Sequence, residues 1–458
     1  MKRRKIANYI LALCTVLAVG ACSDSDDYDV IITPKTPAQE VFSTAATAKN
    51  NLNIYQVNPK LYGKSGAYGK IQARLDDIKA LGTDVLYLMP VYTEGKDKSV
   101  GSPYCIKDFK GVNPDYGTLA ELKGLVDAAH GKGMKVLFDW VANHTSWDNA
   151  WTSEHSDWYE KDAKGNIVSP SRDGAWADVA QLNYENKDLW NGMIDAMKYW
   201  IDECGIDGFR CDYAHGVKDD FWKEAISQLK AKKSDFIMLA ESDYTRMFDD
   251  GFDIIFDRAM KSHVQGLVNG GSASDFFSWY KEDLASAPGS KTKLFFITNH
   301  DDCNTASPIA EFKNKDGALA AFFLMASLNG SPMIYGSQEN GYEKTINFFN
   351  TMDFNFTANA AYTTKYNKVM AALSGLDRGA PMKAYTSAGV IFLCYEATGS
   401  AKAYTIAVNP TSQVAKAVLP VEVVGKDVTE KTTGTGMVFK LQEEVSFTGY
   451  SYRVWEHQ

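Results

Sequence analysis

Short apolar runs alternate with helical patterns along the chain from residue 53 to residue 376. The runs are rich in β-branched and aromatic side chains, which is typical of buried strands, and between them apolar residues recur at helical spacing. The pattern predicts strands at residues 53–57, 84–89, 135–141, 207–211, 236–241, 252–256, 294–298 and 332–335. It predicts helices at residues 71–81, 119–132, 187–203, 219–232, 273–285 and 316–328. Strand–helix alternation repeated eight times is typical of a (β/α)8 TIM barrel, which is the α/β fold class that we predict.

Two segments depart from this alternation. Residues 146–181, after the third predicted strand, are rich in Trp, Asp, Ser and Gly and lack a helical period, so we predict an inserted loop region over the active face of the barrel. After a further helical pattern near residues 362–376, Val, Thr and Ala alternate with polar residues at 389–395, 403–409, 414–424 and 450–455. This alternation predicts a C-terminal antiparallel β-sandwich domain at 381–458, beside a catalytic barrel at 52–380.

The first residues of the chain have a different character from the rest. Four basic residues at 2–5 precede an apolar stretch at 6–21 that ends in small residues before Cys22. This pattern predicts a signal peptide at 1–22, since the stretch is shorter than the roughly 20 apolar residues of a membrane-spanning helix. The small residues before Cys22 resemble the lipobox of bacterial lipoproteins. The resemblance implies lipid attachment at Cys22 and a location on the outer membrane, at the cell surface or at its periplasmic face.

The polar residues at 23–51 show no apolar period and predict a linker. Its acidic start, at 23–27, resembles the export tag of surface-exposed lipoproteins, although a solvated linker has the same composition. The net charge of −9 and the pI near 5.4 argue against nucleic acid and anionic membrane surfaces as partners, whereas a neutral ligand is compatible with them. Of the seven cysteines, Cys14 and Cys22 lie in the predicted signal peptide, and the other five lack the spacing of a disulfide framework or a zinc site.

Polar residues follow four of the predicted barrel strands, at the carboxyl ends where barrel active sites lie. They are Asp139, Asn143 and His144 after strand three, Arg210 and Asp212 at strand four, Glu241 at strand five, and His300 and Asp301 after strand seven. A single carboxylate there often only caps the next helix, but several that point into one crevice are more specific. Glycoside cleavage needs a carboxylate nucleophile or base beside a protonated carboxylic acid. Arg210 is two residues before Asp212 on the same strand face, so we expect it to hold Asp212 ionised.

Four of these segments resemble the ordered motifs of glycoside hydrolase family 13, the α-amylase family. They are Asp-Trp-Val-Ala-Asn-His at 139–144, Gly-Phe-Arg-Cys-Asp at 208–212, Ala-Glu at 240–241 and Asn-His-Asp at 299–301. Residues 113–118 and 333–339 also match segments typical of the family. The resemblance implies a retaining α-glycoside hydrolase that cleaves α-1,4-glucosidic bonds in starch, maltodextrins or related α-glucans through a covalent glycosyl-enzyme.

The resemblance also implies a role for each matching residue. Asp212 is expected to be the nucleophile, Glu241 the acid/base and Asp301 the third carboxylate, which grips the sugar hydroxyls. The expected substrate-binding residues are Arg210, which also orients Asp212, together with His144, His300 and the stacking platform Tyr104. Asp139 is expected to be structural. No cofactor is required, although Asn143 matches a position that often binds calcium, so a calcium ion there is possible.

Some features leave the specificity open. After Asp212 the chain reads Tyr213-Ala214-His215, without the Lys-His pair of typical α-amylases, so the preference on the leaving-group side is undetermined. Tryptophans at positions 140, 147, 151, 158 and 176 are either core residues or sugar-stacking surfaces. An α-glucan transglycosylase would use the same glycosyl-enzyme. A non-catalytic glycan-binding surface lipoprotein is the alternative from another class, and the intact carboxylates argue against it. The oligomeric state is not predicted.

Overall fold

Eight parallel strands form a closed barrel at the centre of the computed structural model, which describes residues 35–171, 174–399 and 401–457. The barrel strands, one to eight, are Ile54–Val57, Val85–Leu88, Lys135–Val141, Gly208–Asp212, Ile237–Ala240, Ile254–Phe256, Thr292–Phe295 and Ser331–Tyr335. Neighbours along the chain are neighbours in the barrel, and strand eight pairs with strand one. Each strand overlaps one of the eight predicted segments, so the predicted barrel is confirmed.

The barrel interior is filled by side chains from nearly every strand, among them Tyr87, Leu137, Leu239 and Phe256. Strand four contributes no apolar side chain to this interior, because it places Gly208 between Leu137 and Ile237. A Cβ at Gly208 would overlap the carbonyl group of Ile237, so strands four and five approach closely only because this residue is glycine.

Helices surround the barrel, and all but Trp151–Glu154 contain buried residues. They are Ala67–Ala73, Leu75–Ala80, Leu119–Gly131, Trp151–Glu154, Lys187–Cys204, Asp219–Lys232, Arg258–Val268, Ala273–Ala285, His300–Thr305, Pro308–Glu311, Lys315–Ser327 and Ala360–Ala372. The single helix predicted at 71–81 is two helices with a break at Arg74. Arg258–Val268 was not predicted. It buries Met260, Val264, Leu267 and Val268, and the Asp257 side chain accepts a hydrogen bond from its first turn.

A seven-stranded antiparallel sheet and a two-stranded sheet enclose a second core that contains Phe392, Phe447 and Trp455, in agreement with the predicted C-terminal β domain. The larger sheet contains, in order across it, Gln39–Thr44, Met382–Ser387, Val390–Tyr395, Ala403–Val408, Tyr452–His457, Asp427–Glu430 and Gly436–Val438. The smaller one pairs Ala415–Val418 with Glu444–Phe447.

The prediction of a linker at 23–51 is wrong for the second half of that segment, because Gln39–Thr44 is the edge strand of the larger sheet. Most of its side chains are partly or fully exposed, so the segment has the polar pattern of a linker. The predicted signal peptide, the lipid-attachment residue Cys22 and the acidic run at 23–27 lie outside the described residues. None of the helices within the described ranges combines the length and apolar character that a bilayer crossing requires.

Two short hairpins border the carboxyl end of the barrel. His144–Ser146 pairs with Val179–Gln181 and closes the base of the inserted region predicted at 146–181. Tyr92–Glu94 pairs with Ile106–Val112, and the loop between them carries Tyr104. The two hairpins follow barrel strands two and three, so they bring two loops to the carboxyl end of the barrel.

Candidate active site

A cavity of about 640 Å³ opens at the carboxyl end of the barrel. Its lining includes six of the residues singled out in the sequence: Tyr104, His144, Asp212, Glu241, His300 and Asp301. They come from segments far apart in the chain, and the closed barrel brings them together because the carboxyl ends of parallel strands meet at one face. The predicted carboxylates thus share one site.

Arg210 lies at the centre of the polar network beneath this cavity. Its Nη1 donates to Asp139 Oδ1 at 2.7 Å and to Asp212 Oδ1 at 2.9 Å. Its Nη2 is 2.9 Å from Glu241 Oε2, an ion-pair contact without the geometry of a hydrogen bond. The side chain is fully buried. The expectation that Arg210 binds substrate is therefore wrong: it holds two of the cavity carboxylates in place and contacts them from below.

Asp139 has a supporting position under the cavity, as expected. It is fully buried and accepts hydrogen bonds from Arg210, from Tyr87 Oη at 2.6 Å and from Tyr104 Oη at 3.0 Å. Burial raises the pKa of Asp139, and the adjacent Arg210 partly opposes the rise. Since each carboxylate oxygen has a partner within the protein, Asp139 fixes the orientation of Arg210 and Tyr104.

A chain of hydrogen bonds positions His300. Gln56 Nε2, an amide donor, is 2.9 Å from His300 Nδ1, which leaves Nδ1 as the acceptor. His300 Nε2 then carries the proton, 2.7 Å from the Tyr104 hydroxyl, and that hydroxyl donates to Asp139. The rings of Tyr104 and His300 stack with centroids 5.4 Å apart. Gln56, a polar residue inside an apolar strand, was not identified in the sequence, although that contrast was the signal that could have found it.

Asp301 stands apart from the buried network. It lies in the first turn of His300–Thr305, a helix whose N-terminus is capped by the Asn299 side chain, which accepts from Asp302 N–H at 2.8 Å. Its side chain is 49% exposed and faces the cavity, and its Oδ1 is 3.4 Å from His300 Nε2. An exposed carboxylate at the cavity wall is free to accept hydrogen bonds from a ligand.

Tyr213, directly after Asp212, has a left-handed backbone with φ of 43°. This conformation costs a non-glycine residue about 1–3 kcal/mol and concentrates at functional sites. Here it directs the Tyr213 N–H to Glu241 Oε2 at 2.9 Å, and the side chain lines the cavity. In the sequence Tyr213 was identified only as a departure from the family pattern, because residue type alone does not show a backbone dihedral angle.

Glu241 has a second arginine partner that was not predicted. Arg258 Nη2 donates to Glu241 Oε1 at 2.8 Å. Arg258 lies two residues past barrel strand six. It thus has the same kind of position as the residues identified after strands three, four, five and seven, and this position was the signal that could have found it. Glu241 is thus bound on both oxygens.

The pKa shifts of Asp212 and Glu241 are opposite to those that their expected roles as nucleophile and acid require. Burial, together with the charges of Glu241 and Asp139, raises the pKa of Asp212 well above its usual range despite Arg210. Burial also acts against ionisation of Glu241, but Arg210, the Tyr213 N–H and Arg258 outweigh it and lower the pKa of Glu241. The contacts of Glu241, the carboxylate expected to be the acid, thus favour its ionised form in the empty cleft.

His144 is buried at the cavity wall, and burial lowers its pKa to about 4. It is therefore a neutral hydrogen-bonding group at neutral pH. Its neighbour Asn143 is bonded to Gln181: Asn143 Nδ2 donates to Gln181 Oε1 at 3.3 Å, and Gln181 Nε2 donates to the Asn143 carbonyl at 3.1 Å. Within the described part of the chain no cluster of three or more His, Cys, Asp or Glu could hold a metal ion. The Asn143 amide is thus engaged by Gln181 within the protein, and a calcium ion at this position stays a prediction.

The tryptophans of the inserted region divide into two groups. Trp176 lines the cavity, with its ring 5.0 Å from Tyr213 and 5.9 Å from His144. Trp151 packs against Trp158 and against Phe109, which also contacts Trp140 on strand three, while Trp147 donates to the Ala177 carbonyl. Phe348 and Phe349 also line the cavity, and they were not identified in the sequence because they lie in a segment without a periodic pattern.

A (β/α)8 barrel with three carboxylates around one cavity at its open end is the arrangement of barrel glycoside hydrolases. Comparison with known families agrees: residues 45–382 match the family described as "Alpha amylase, catalytic domain". The match covers most of the chain, and the protein belongs to this family.

Individual relatives show the same relationship. The chain is 27% identical over 318 residues to the α-amylase MalA of Haloarcula japonica, which covers 66% of this chain and 46% of that protein. It is 28% identical over 316 residues to the α-1,4-glucan:maltose-1-phosphate maltosyltransferase of Rhodospirillum rubrum, covering 61% of this chain and 42% of the relative. The chain thus spans less than half the length of these two curated relatives. The crystal structure of an α-amylase from Lactobacillus plantarum superposes with a TM-score of 0.78 at 29% identity, over 89% of this chain and 99% of that one.

Proposed function

We propose that this protein is a retaining α-glycoside hydrolase that cleaves α-1,4-glucosidic bonds in starch, maltodextrins or related α-glucans. The observation that carries the proposal is that Asp212, Glu241 and Asp301 line one cavity at the open end of the barrel. Membership of the α-amylase family and the likeness to α-amylases support the substrate class.

The first chemical step joins Asp212 to the sugar. A carboxylate oxygen of Asp212 attacks the anomeric carbon while Glu241 gives its proton to the departing glycosidic oxygen, so one C–O bond forms as the other breaks. In the second step Glu241 takes a proton from water, which displaces Asp212 and restores the original configuration. Contact of one guanidinium, that of Arg210, with both carboxylates favours the short separation of about 5–5.5 Å that retaining enzymes show.

The remaining cavity residues would hold the sugar over Asp212. His144 is neutral and can accept or donate a hydrogen bond. The Nε2–H of His300 is held by the Tyr104 hydroxyl in the empty cleft, beside the exposed Asp301. Asp301 offers an exposed carboxylate that binds sugar hydroxyls. Tyr104, stacked on His300, supplies a flat apolar face of the kind that packs against a sugar ring.

The test is product analysis of the purified full-length protein, in detergent, on amylose, pullulan and maltoheptaose. The proposal expects reducing sugar from amylose and maltoheptaose, and loss of nearly all of it in Asp212→Asn and Glu241→Gln of unchanged melting temperature. Near-normal turnover in either variant would contradict the assignment. Products longer than maltoheptaose without new reducing ends would indicate a transglycosylase, the activity named for the Rhodospirillum rubrum relative. Retained binding without cleavage would indicate a glycan-binding protein.

We also propose that a lipid at Cys22 anchors the protein to the outer membrane. The support is the sequence alone, with its basic start, apolar stretch and small residues before Cys22. Cells expressing the protein are expected to incorporate labelled palmitate into the wild type and into Cys14→Ser, but not into Cys22→Ser. Label in Cys22→Ser would exclude this anchor. Protease treatment of intact cells then distinguishes a surface location from a periplasmic one.

A further inference from the structure

Glu241 is held by donors on both carboxylate oxygens. Oε2 accepts from the Tyr213 N–H at 2.9 Å and contacts Arg210, and Oε1 accepts from Arg258 Nη2 at 2.8 Å. The titratable groups that face it from the surrounding elements are Tyr87, Arg210, Asp212, Arg258 and His300. The proposed first step needs a proton on Glu241, at the oxygen that meets the glycosidic oxygen. The contacts seen in the empty cleft therefore oppose the form of Glu241 that the reaction uses.

The two arginines differ in their freedom to move. Arg210 is fully buried and is bound to Asp139 and Asp212 as well as to Glu241. Arg258 is 45% exposed and begins a helix at the cavity rim. Only Arg258 can leave Glu241 without exposing buried, unpaired charges.

Arg258 also has a second acceptor within reach. Its backbone N–H donates to Asp243 Oδ1 at 2.8 Å, and its Nη1 donates to Asp243 Oδ2 at 2.6 Å. Asp243 is itself 45% exposed. The guanidinium can therefore give up Glu241 and keep an ion pair, so the cost of release is low.

Arg258 and Asp243 are not among the residues that line the cavity, and Arg258 reaches Glu241 at Oε1. Because Oε2 is held by the Tyr213 N–H and by Arg210, Oε1 is the oxygen left to meet the glycosidic oxygen.

His300 and Asp301 lie together at the cavity wall, and the sugar that Asp212 attacks must contact them. The departing sugar is bonded to the oxygen that Glu241 protonates, so it extends past Glu241 toward the side on which Arg258 and Asp243 lie.

On the basis of the proposed function, we propose that Arg258 is a releasable counter-ion of Glu241. It holds Glu241 ionised while the cleft is empty, and a sugar on the leaving-group side displaces its Nη2 from Oε1. Arg258 then pairs with Asp243 alone, and Oε1 faces the glycosidic oxygen. The proton that Asp212 and Glu241 share then lies on Glu241 and leaves Asp212 ionised, as the first step requires. Arg258 is in this account a positioning residue that couples protonation of the acid to occupancy of the leaving-group side.

The pH dependence of maltoheptaose cleavage tests this role. The alkaline limb of kcat/KM reports loss of the proton that Asp212 and Glu241 share in the free enzyme, and that of kcat reports the same loss in the complex. Removal of a cation makes ionisation of Glu241 less favourable and raises its pKa. In Arg258→Gln the alkaline limb of kcat/KM is therefore expected to move up by about one pH unit, whereas that of kcat stays in place. Arg258→Lys keeps the charge and is expected to restore most of the wild-type profile.

Lys218→Gln is the matched control, since Lys218 is 44% exposed and pairs with Glu185 outside the cleft. Its profile is expected to superpose on that of the wild type. Asp243→Asn keeps Arg258 in place but removes its second partner, so it is expected to shift the alkaline limb of kcat/KM downward. Superposition of the Arg258→Gln and wild-type profiles, or an equal shift in Lys218→Gln, would overturn the proposal.

A titration that needs no turnover separates this proposal from the proposed function. The side-chain carboxyl 13C signal of Glu241, assigned by its loss in Glu241→Gln, gives the pKa directly. A higher pKa in Arg258→Gln, reversed in Arg258→Lys, supports the counter-ion role even if no α-glucan is cleaved, in which case the proposed function fails alone. An unchanged pKa overturns the counter-ion role whatever the activity.

Discussion

Arg210 neutralises a group of carboxylates that could not be buried together without it. Asp139 is fully buried, and Asp212 and Glu241 are each 14% exposed, so loss of the guanidinium would leave three crowded anions with little access to water. Breaking such a buried ion pair by removing one partner typically costs about 3–5 kcal/mol. The cation is thus a condition for folding as well as for chemistry.

The first prediction follows from this arrangement. Arg210→Met is expected to lower the free energy of unfolding by about 3–5 kcal/mol at pH 7, measured by equilibrium urea denaturation. The loss should shrink as the pH falls toward 4, because protonated carboxyls need no counter-ion and burial already raises the pKa of Asp139 and of Asp212. Arg453→Met, at a strand of the C-terminal sheet, serves as the control and is expected to change stability by less than about 0.5 kcal/mol. Equal losses in the two variants would show that Arg210 has no special role.

The sequence predicted which carboxylates share the cavity, but it did not predict the partners that hold them. Asp212, Glu241 and Asp301 were identified because each follows a strand and belongs to a short local motif. Arg258 and Gln56 act through contacts across the barrel, and no local pattern relates them to Glu241 or His300. The error for Arg210 has the same origin, because spacing places a side chain on a strand face but does not show how deeply it is buried.

At the scale of single elements, the close approach of barrel strands four and five depends on Gly208. Gly208→Ala is expected to destabilise the protein by about 1–3 kcal/mol or more, seen as a lower melting temperature in calorimetry, because the added methyl overlaps the Ile237 carbonyl. Gly131→Ala, at a helix end with open space around it, is the control and is expected to be neutral or stabilising by up to about 1 kcal/mol. A neutral result at position 208 would mean that the two strands can separate freely.

The hairpin of His144–Ser146 and Val179–Gln181 holds together through protein contacts. Gln181 donates to the Asn143 carbonyl, and its backbone pairs with His144. Chelation with EDTA is therefore expected to leave both the melting temperature and the rate of maltoheptaose cleavage unchanged. A fall in either that added calcium reverses would show that an ion replaces these hydrogen bonds, and Asn143→Ala would then be expected to abolish the calcium effect.

Elements buried on their apolar side were predicted more reliably than exposed ones. The eight barrel strands were found because their runs are almost wholly apolar, as strands covered by helices require. Gln39–Thr44 was missed because only Phe42 in it is buried, whereas helix Arg258–Val268 was missed although its buried residues recur at helical spacing. Exposure weakens the periodic signal on which such predictions depend.

At the scale of the whole molecule, Phe42 joins the C-terminal sheet to the barrel. The ring is 6% exposed, and its centroid is 5.6 Å from those of Phe277 and Tyr280 on helix Ala273–Ala285. Phe42→Ala is expected to lower the free energy of unfolding by about 3–5 kcal/mol in urea denaturation. Ser43→Ala, at the exposed neighbour, should have no measurable effect. A small loss for Phe42→Ala would mean that the sheet holds its edge strand by backbone hydrogen bonds alone.

The pairing of Gln39–Thr44 with Met382–Ser387 also sets an order of events during synthesis. The edge strand leaves the ribosome before the barrel, but its partner leaves it after the barrel. Until then Phe42 and the free strand edge are open to contact with other chains, which is the usual route to misassembly of β structure. Strand Gln39–Thr44 is thus synthesised early and paired late. The interval between its synthesis and its pairing is the time in which this protein is most exposed to aggregation.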